Sequence, residues 1–364
     1  MLTRAEREAE DYMKRHTEKL QLCCCVLICT MIVRSAVAEK IFVNGRNGSD
    51  GNLGTEERPV RTMKRAAEMA NAAKGTGPTT IKIAPGTYTL TESLEFNGTR
   101  RYTRKERLVI EATVLPDEPR WRPGMMPTIL SVEDPRRDSN LAGLTATHGM
   151  KIGVSHVTIR GLKFLGNPLL RNWHLCVART GNDLDDLVVT QCVFAGDADV
   201  IDINCAVLAT GDGFVVDHCI FRNCNAGAVF WDGPQGVIGK GCSMRYCIVD
   251  GARISGVWTC QTAEDFEFHH NIVTRSEYFW MRKRIDDPMR YRIHDCIVAD
   301  NRNYSGYGVE SGPTGLTGPE VVYEEGNIVN RSSLVIEKDK RKRNYLHVAA
   351  GTPGSSLGAG LFTE

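Results

Sequence analysis

The sequence predicts an all-β solenoid, in which short strands run in parallel and the chain coils once per repeat. Two observations predict it. One phrase returns between residues 158 and 330: Thr158–Phe164 (TIRGLKF), Val189–Phe194 (VTQCVF), Val216–Phe221 (VDHCIF), Met244–Val249 (MRYCIV), Phe268–Val273 (FHHNIV), Ile293–Val298 (IHDCIV) and, more loosely, Tyr323–Val329 (YEEGNIV). One position of it holds Leu162, Cys192, Cys219, Cys247, Asn271, Cys296 and Asn327, at intervals of 24 to 31 residues. Repeats of this length mark solenoids. The second observation is periodicity. Each copy alternates apolar and other residues, a strand pattern, and no helical period fills the intervals. Coiling buries many short strands without hairpins, with successive rungs pairing at about 4.8 Å.

The recurring Cys/Asn position resembles the internal ladder of right-handed parallel β-helices, where small side chains stack at a sharp corner. The chain is similar, over roughly residues 41 to 361, to the pectate-lyase-like β-helix superfamily of secreted carbohydrate-active proteins. The resemblance implies a single-stranded right-handed parallel β-helix with a short N-terminal capping helix. It also implies a polysaccharide as partner. Cysteine replaces asparagine in such a ladder because it is small and tolerates burial.

In chain order, residues 20–33 form an apolar run too short to span a bilayer comfortably, and Ala36-Val37-Ala38 follows as a cleavage pattern. Residues 1–38 are expected to be a secretory signal, with residues 39–364 as the β-helix domain. Residues 1–12 read as an upstream extension of an ordinary signal. An uncleaved membrane anchor is the alternative.

Residues 41–90 look like an opening module: strand, Gly/Asn loop, capping helix, first rung. Met63, Ala66, Ala67, Ala70 and Ala73 share a helix face, and Gly75 stops it. A helix across the open end would shield the edge strand from templating aggregation. Asp50 and Asn52 suit turns, with calcium as the one cofactor to consider there. Residues 98–150 are less regular. The basic run Arg100, Arg101, Arg104, Lys105 and Arg107 reads as a solvated loop, and proline-rich 116–127 as an excursion between rungs. Residues 150–340 carry the regular rungs.

Residues 1–38 hold six of the 45 basic and five of the 44 acidic residues, leaving 39 of each. A neutral mature chain offers no electrostatic argument for nucleic acid. Four of 13 cysteines lie in the leader, and four of the other nine occupy the ladder. Cys205, Cys224, Cys242 and Cys260 remain open to disulfide pairing, and no paired Cys-x-x-Cys motif suggests zinc.

The strand after each phrase suggests a site. If its first and third residues face inward, the outward set includes Asp202, Asn204, Val229, Trp231, Trp258, Cys260, Trp280, Arg282, Gly308 and Glu310. Trp231, Trp258 and Trp280 then form an exposed strip, with Asp232 beside it, and sugar rings stack well on indoles. The alternatives are a loop cover over the indoles or a register that turns them inward.

Lyases of the superfamily abstract a proton next to a uronate carboxylate, using a cation to offset its charge and a Lys, Arg or His base. Arg282, Lys283, Arg284 and His270 supply such groups. A hydrolase would need carboxylates across a groove, and Asp202, Asp232 and Glu310 are candidates. The expectation is a secreted or cell-surface monomer that degrades a uronate-containing polysaccharide, more a lyase than a hydrolase. A non-catalytic carbohydrate-binding protein is the third reading. The exported protein should begin near Glu39. Intact-mass spectrometry checks this, and a retained residue 20–33 segment would favour the tethered form.

Overall fold

The structure is a computed structural model. It describes residues 39–134, 146–169, 173–181, 183–197, 199, 203–231, 238–260, 266–283, 291–307, 322–325 and 334–363. The leader assignment at 1–38, the strand copy at Asn327, and Asp202, Asp232, Arg284 and Glu310 lie outside the described residues. Among those described, no helix is long and apolar enough to cross a membrane.

Among the described residues, three parallel sheets of ten, eight and eight strands wrap one core as a right-handed parallel β-helix. A rung runs from the first sheet (Val157–Arg160) to the second (Lys163–Leu165), then the third (Trp173–Arg179), and returns to the first at Leu187–Thr190. The pairing is parallel throughout and in register: Thr190 lies over Arg160, Phe194 over Phe164 and Val177 over Met150. Inward residues stack with like residues. Phe164, Phe194 and Phe221 form a column with centroids 4.9 and 5.0 Å apart.

Two residues make the corner between the first and second sheets. The first takes a left-handed conformation: Gly161, Gln191, His218, Tyr246, His270 and Asp295 have φ between 47° and 72°. For residues other than glycine this costs of order 1–3 kcal/mol each unless surrounding structure enforces it. The second turns inward, and Leu162, Cys192, Cys219, Cys247, Asn271 and Cys296 are all fully buried. They do more than fill space. Asn271 Oδ1 accepts from Cys247 N (2.8 Å) and its Nδ2 donates to Met244 O (2.8 Å). The thiols donate to carbonyls instead, Cys247 Sγ to Arg245 O at 3.2 Å and Cys296 Sγ to His294 O at 3.2 Å.

None of the nine described cysteines is in a disulfide. Cys224 and Cys242 extend the ladder habit to the other two corners, where their thiols meet Phe194 O and Gly211 O. Burial pushes the Cys192 and Cys219 thiols well above their ordinary range and that of Cys296 up to about 12.

The helix Met63–Ala72 packs beside the first strand, with Thr62 as its N-cap and Met63, Ala66, Ala67 and Ala70 buried. Asp50 serves the turn before the helix: it accepts from Arg61 N, Thr62 N and Thr62 Oγ1, each at 2.9 Å. In the basic run Arg101, Arg104 and Lys105 are exposed, while Arg100 and Arg107 are half-buried. Arg107 bonds Thr158 Oγ1 (2.7 Å), Val157 O (2.8 Å) and Asp186 (2.5 Å), so it clips three rungs.

A second apolar layer lies outside the coil. Val193, Ile220, Ile248, Ile272 and Ile297 pack against Leu334, Ile336, Leu346, Val348 and Leu361 of the C-terminal segment. Trp121, from the proline-rich excursion, is buried there and meets Phe362 edge-on at 5.9 Å.

Replacing Asn271 with alanine strands a buried donor and a buried acceptor, and should cost about 2–4 kcal/mol. Asn271→Cys, which copies the neighbouring rungs, should cost less than half as much. Equilibrium urea unfolding of the two variants checks this.

Candidate functional site

The outer face of the third sheet carries Trp231 and Trp258 together with a polar cleft. Residues in register along it run Glu95, Lys151, Ala178, Leu208, Val229, Trp258 and Met281. Its character changes along the row. Glu95 and Lys151 form an ion pair at 3.7 Å, and a cleft of about 470 Å³ opens there, lined by Glu95, His148, Lys151, Ala178, Thr180 and Leu184. A second hollow of about 600 Å³ shares Glu95, Asn97 and Lys151 and runs to the capping helix. The middle is apolar, built from Leu175, Ala178, Cys205, Ala226 and Val229. The far end holds Trp231 and Trp258. Four strand spacings, about 19 Å, separate Lys151 from Trp258.

Trp231 and Trp258 meet edge to face, centroids 6.0 Å apart at 80°, and both are half-buried. Lys283 Nζ stands 5.0 Å from the Trp231 centroid, within cation–π range. The expected strip is otherwise different. Trp280 is 1% exposed and points into the coil, its Nε1 donating to Thr259 Oγ1 at 2.9 Å and its ring edge-on to Phe268 at 5.2 Å. The cause is register. Trp280 pairs with Val257, an inward residue, and Met281 pairs with Trp258. A slip of one residue reverses every side chain. The Tyr278–Arg282 strand is apolar at four consecutive positions, so alternation does not set its register. Counting from the left-handed corner does. Arg275 to Trp280 is the same step as Asn223 to Ala228, which faces the core. Arg282 follows in the same inward row, in register with Thr259, and is 5% exposed. It therefore lines the interior, not the groove. His270 stands on the corner between the first and second sheets, away from the tryptophans.

Sequence reasoning missed the polar end. His148 and Lys151 sit in the strand Ala146–Ile152, which begins inside the stretch that reads as irregular and ends just beyond it. His148 lines the cleft and is 8% exposed. Its backbone N donates to Glu133 Oε2 at 3.1 Å. Glu133, itself 5% exposed, also accepts from Ser93 N (3.3 Å) and Ser93 Oγ (3.1 Å). Asn167 Nδ2 ties Glu133 O (2.9 Å) to Thr147 Oγ1 (3.3 Å), and Thr147 Oγ1 meets His174 Nδ1 at 3.0 Å. This buried network fixes the backbone under His148. His174 lies fully inside, and burial drives its imidazole down to about 3.

No protein-family model and no curated protein matches the sequence. Solved structures do resemble it. The pectin methylesterase from Aspergillus niger in deglycosylated form is 14% identical with a TM-score of 0.51, covering 90% of this chain and 95% of that one. The same enzyme in penultimately deglycosylated form gives 14% and 0.50, with the same coverage. A rhamnogalacturonan lyase is 11% identical, with a TM-score of 0.46, 90% of this chain and all of that chain covered. The methylesterase likeness shows the fold.

Two buried imidazoles make stability depend on pH. His174 is held near 3 and His347, again by burial, near 4, so the folded chain resists protons that the unfolded chain takes up near 6.5. Stability is complete above about 6.5 and is lost as pH falls towards those values. Each group should remove about 2 kcal/mol between about pH 7 and about pH 5. Thermal melts across that window should show the loss, and His347→Gln should roughly halve it.

Proposed function

We propose that the chain is a polysaccharide-degrading enzyme whose groove is the outer face of the third sheet, and that it is a lyase acting on a uronate-containing polymer. The carrying observation is a pair of lysines set apart along the outside of the third sheet, Lys151 in the cleft and Lys283 over Trp231. A long acidic chain suits that spacing. The indole faces of Trp231 and Trp258 accept sugar rings, and the ammonium groups offset carboxylates. The resemblance to a protein named for acting on pectin supports the substrate class.

His148 is the proposed base. Imidazole is the side chain that ordinarily accepts a proton near neutral pH. In the step, His148 takes the proton from C5 of the uronate, the C4–O4 bond breaks and a C4–C5 double bond forms. The leaving oxygen collects a proton from water. Lys151, beside His148 in the cleft, offsets the charge that grows on the uronate carboxylate as the proton departs. Glu133 acts as a positioning residue through the His148 backbone. Of the residues expected from sequence, Trp231, Trp258 and Lys283 enter this proposal, while Trp280, Arg282 and His270 do not.

Pectate, alginate and glycosaminoglycans, screened for the ultraviolet absorbance of an unsaturated uronate, test it. His148→Ala should lower kcat by about 10²–10⁴. Trp258→Ala should weaken substrate binding by about 1–3 kcal/mol with kcat little changed. Reducing ends without the absorbance would make the chain a hydrolase. Neither product, together with retardation in a polysaccharide gel, would make it a binding protein.

A further inference from the structure

The corner between the first and second sheets carries a row of side chains with no part in the groove. His218 and Tyr246 stack at 4.7 Å and 12°, and Tyr246 meets His270 at 4.7 Å. At the next rungs the row becomes denser. His269 and His294 stack at 4.9 Å and 14°, His269 Nδ1 lies 3.0 Å from His270 Nδ1, and His294 Nδ1 lies 2.7 Å from Asp295 Oδ2. His270, His294 and Asp295 bring one donor atom each within 4.8 Å of one another, all half-buried.

We propose that His270, His294 and Asp295 form a binding site for one divalent transition-metal ion, of which zinc is the best fit. Two imidazoles and one carboxylate are borderline donors. Such a set suits zinc, while calcium takes all-oxygen shells. Around an ion about 2.1 Å from each donor, tetrahedral donors stand about 3.4 Å apart, so side-chain rotation closes the set by at most about 1.4 Å. His269, against His270, is placed to orient that ring or to fill a fourth position.

The backbone beneath is rigid, which is what a metal site needs. His270 and Asp295 are left-handed corner residues, with φ of 53° and 51°. The buried ladder pins both. Asn271 bonds Cys247 N and Met244 O, Asn271 N meets Cys296 Sγ at 3.4 Å, and His270 N donates to His294 O at 3.2 Å. The ligands come from two successive rungs, so an ion here would clip one rung to the next. Arg245, in register with His269, is engaged by Asp217 at 3.1 Å.

Tag-free protein, stripped with chelator and titrated with zinc by calorimetry, tests the site. One ion per chain is expected, with a higher melting temperature in zinc than in chelator. His270→Ala, His294→Gln and Asp295→Asn should each weaken binding at least about tenfold. His156→Ala, on another corner, should not change it. Titration of the wild-type protein followed by imidazole NMR should shift the His270 and His294 signals, a reading that does not depend on any variant folding. Absence of saturable binding, or binding that leaves those signals in place and survives all three substitutions, overturns the proposal.

Discussion

Everything in this molecule depends on the two-residue corner between the first and second sheets. Each rung must turn sharply there without a hairpin, and the backbone does so by placing one residue in the left-handed region. Five of the six described corner residues are not glycine, so the local cost recurs at nearly every rung. The ladder offsets it. An inward side chain such as Asn271 or Cys247 satisfies backbone groups that the turn would leave buried and unpaired. Because the same solution repeats, all three sheets stay in register, and whole rows of side chains acquire one direction.

Two such rows carry the side chains on which both proposals rest. On the third sheet the row from Glu95 to Trp258 grades from charged, through apolar, to aromatic. On the corner, the left-handed residues face out and stack. A β-helix thus separates its surfaces by row: change in one row leaves the neighbouring rows and the core undisturbed.

The fold was legible because its signal is periodic. The ladder positions stood out as a repeated phrase, and each described one is buried as a repeat requires. The site was only partly legible, because it depends on register, which the phrase does not encode across a loop of variable length. Trp258 and Trp280 occupy similar places in their phrases, yet one extra residue before Val257 puts the first outside and the second inside. His148 and Lys151 were hidden for another reason. Their strand follows an interval without the phrase, so nothing marked which residues lie over Leu175 and Ala178. The histidine cluster needed two rungs stacked before His270 and His294 could be seen as neighbours.

The C-terminal segment changes how such a coil can come apart. A bare solenoid has only nearest-neighbour terms, so it can fray one rung at a time from either end. Here Leu361 O accepts from Gln191 Nε2, Thr363 bonds Asp117, and apolar residues of the same segment lie across five rungs of the second sheet. These are contacts over 170 and 246 positions of chain. They convert a one-dimensional stack into a structure whose ends report to each other, and unfolding gains cooperativity from that. The strap follows in the chain every rung it covers. Until it is made, the isoleucine column stays bare, so those rungs lock only after the strap has been added.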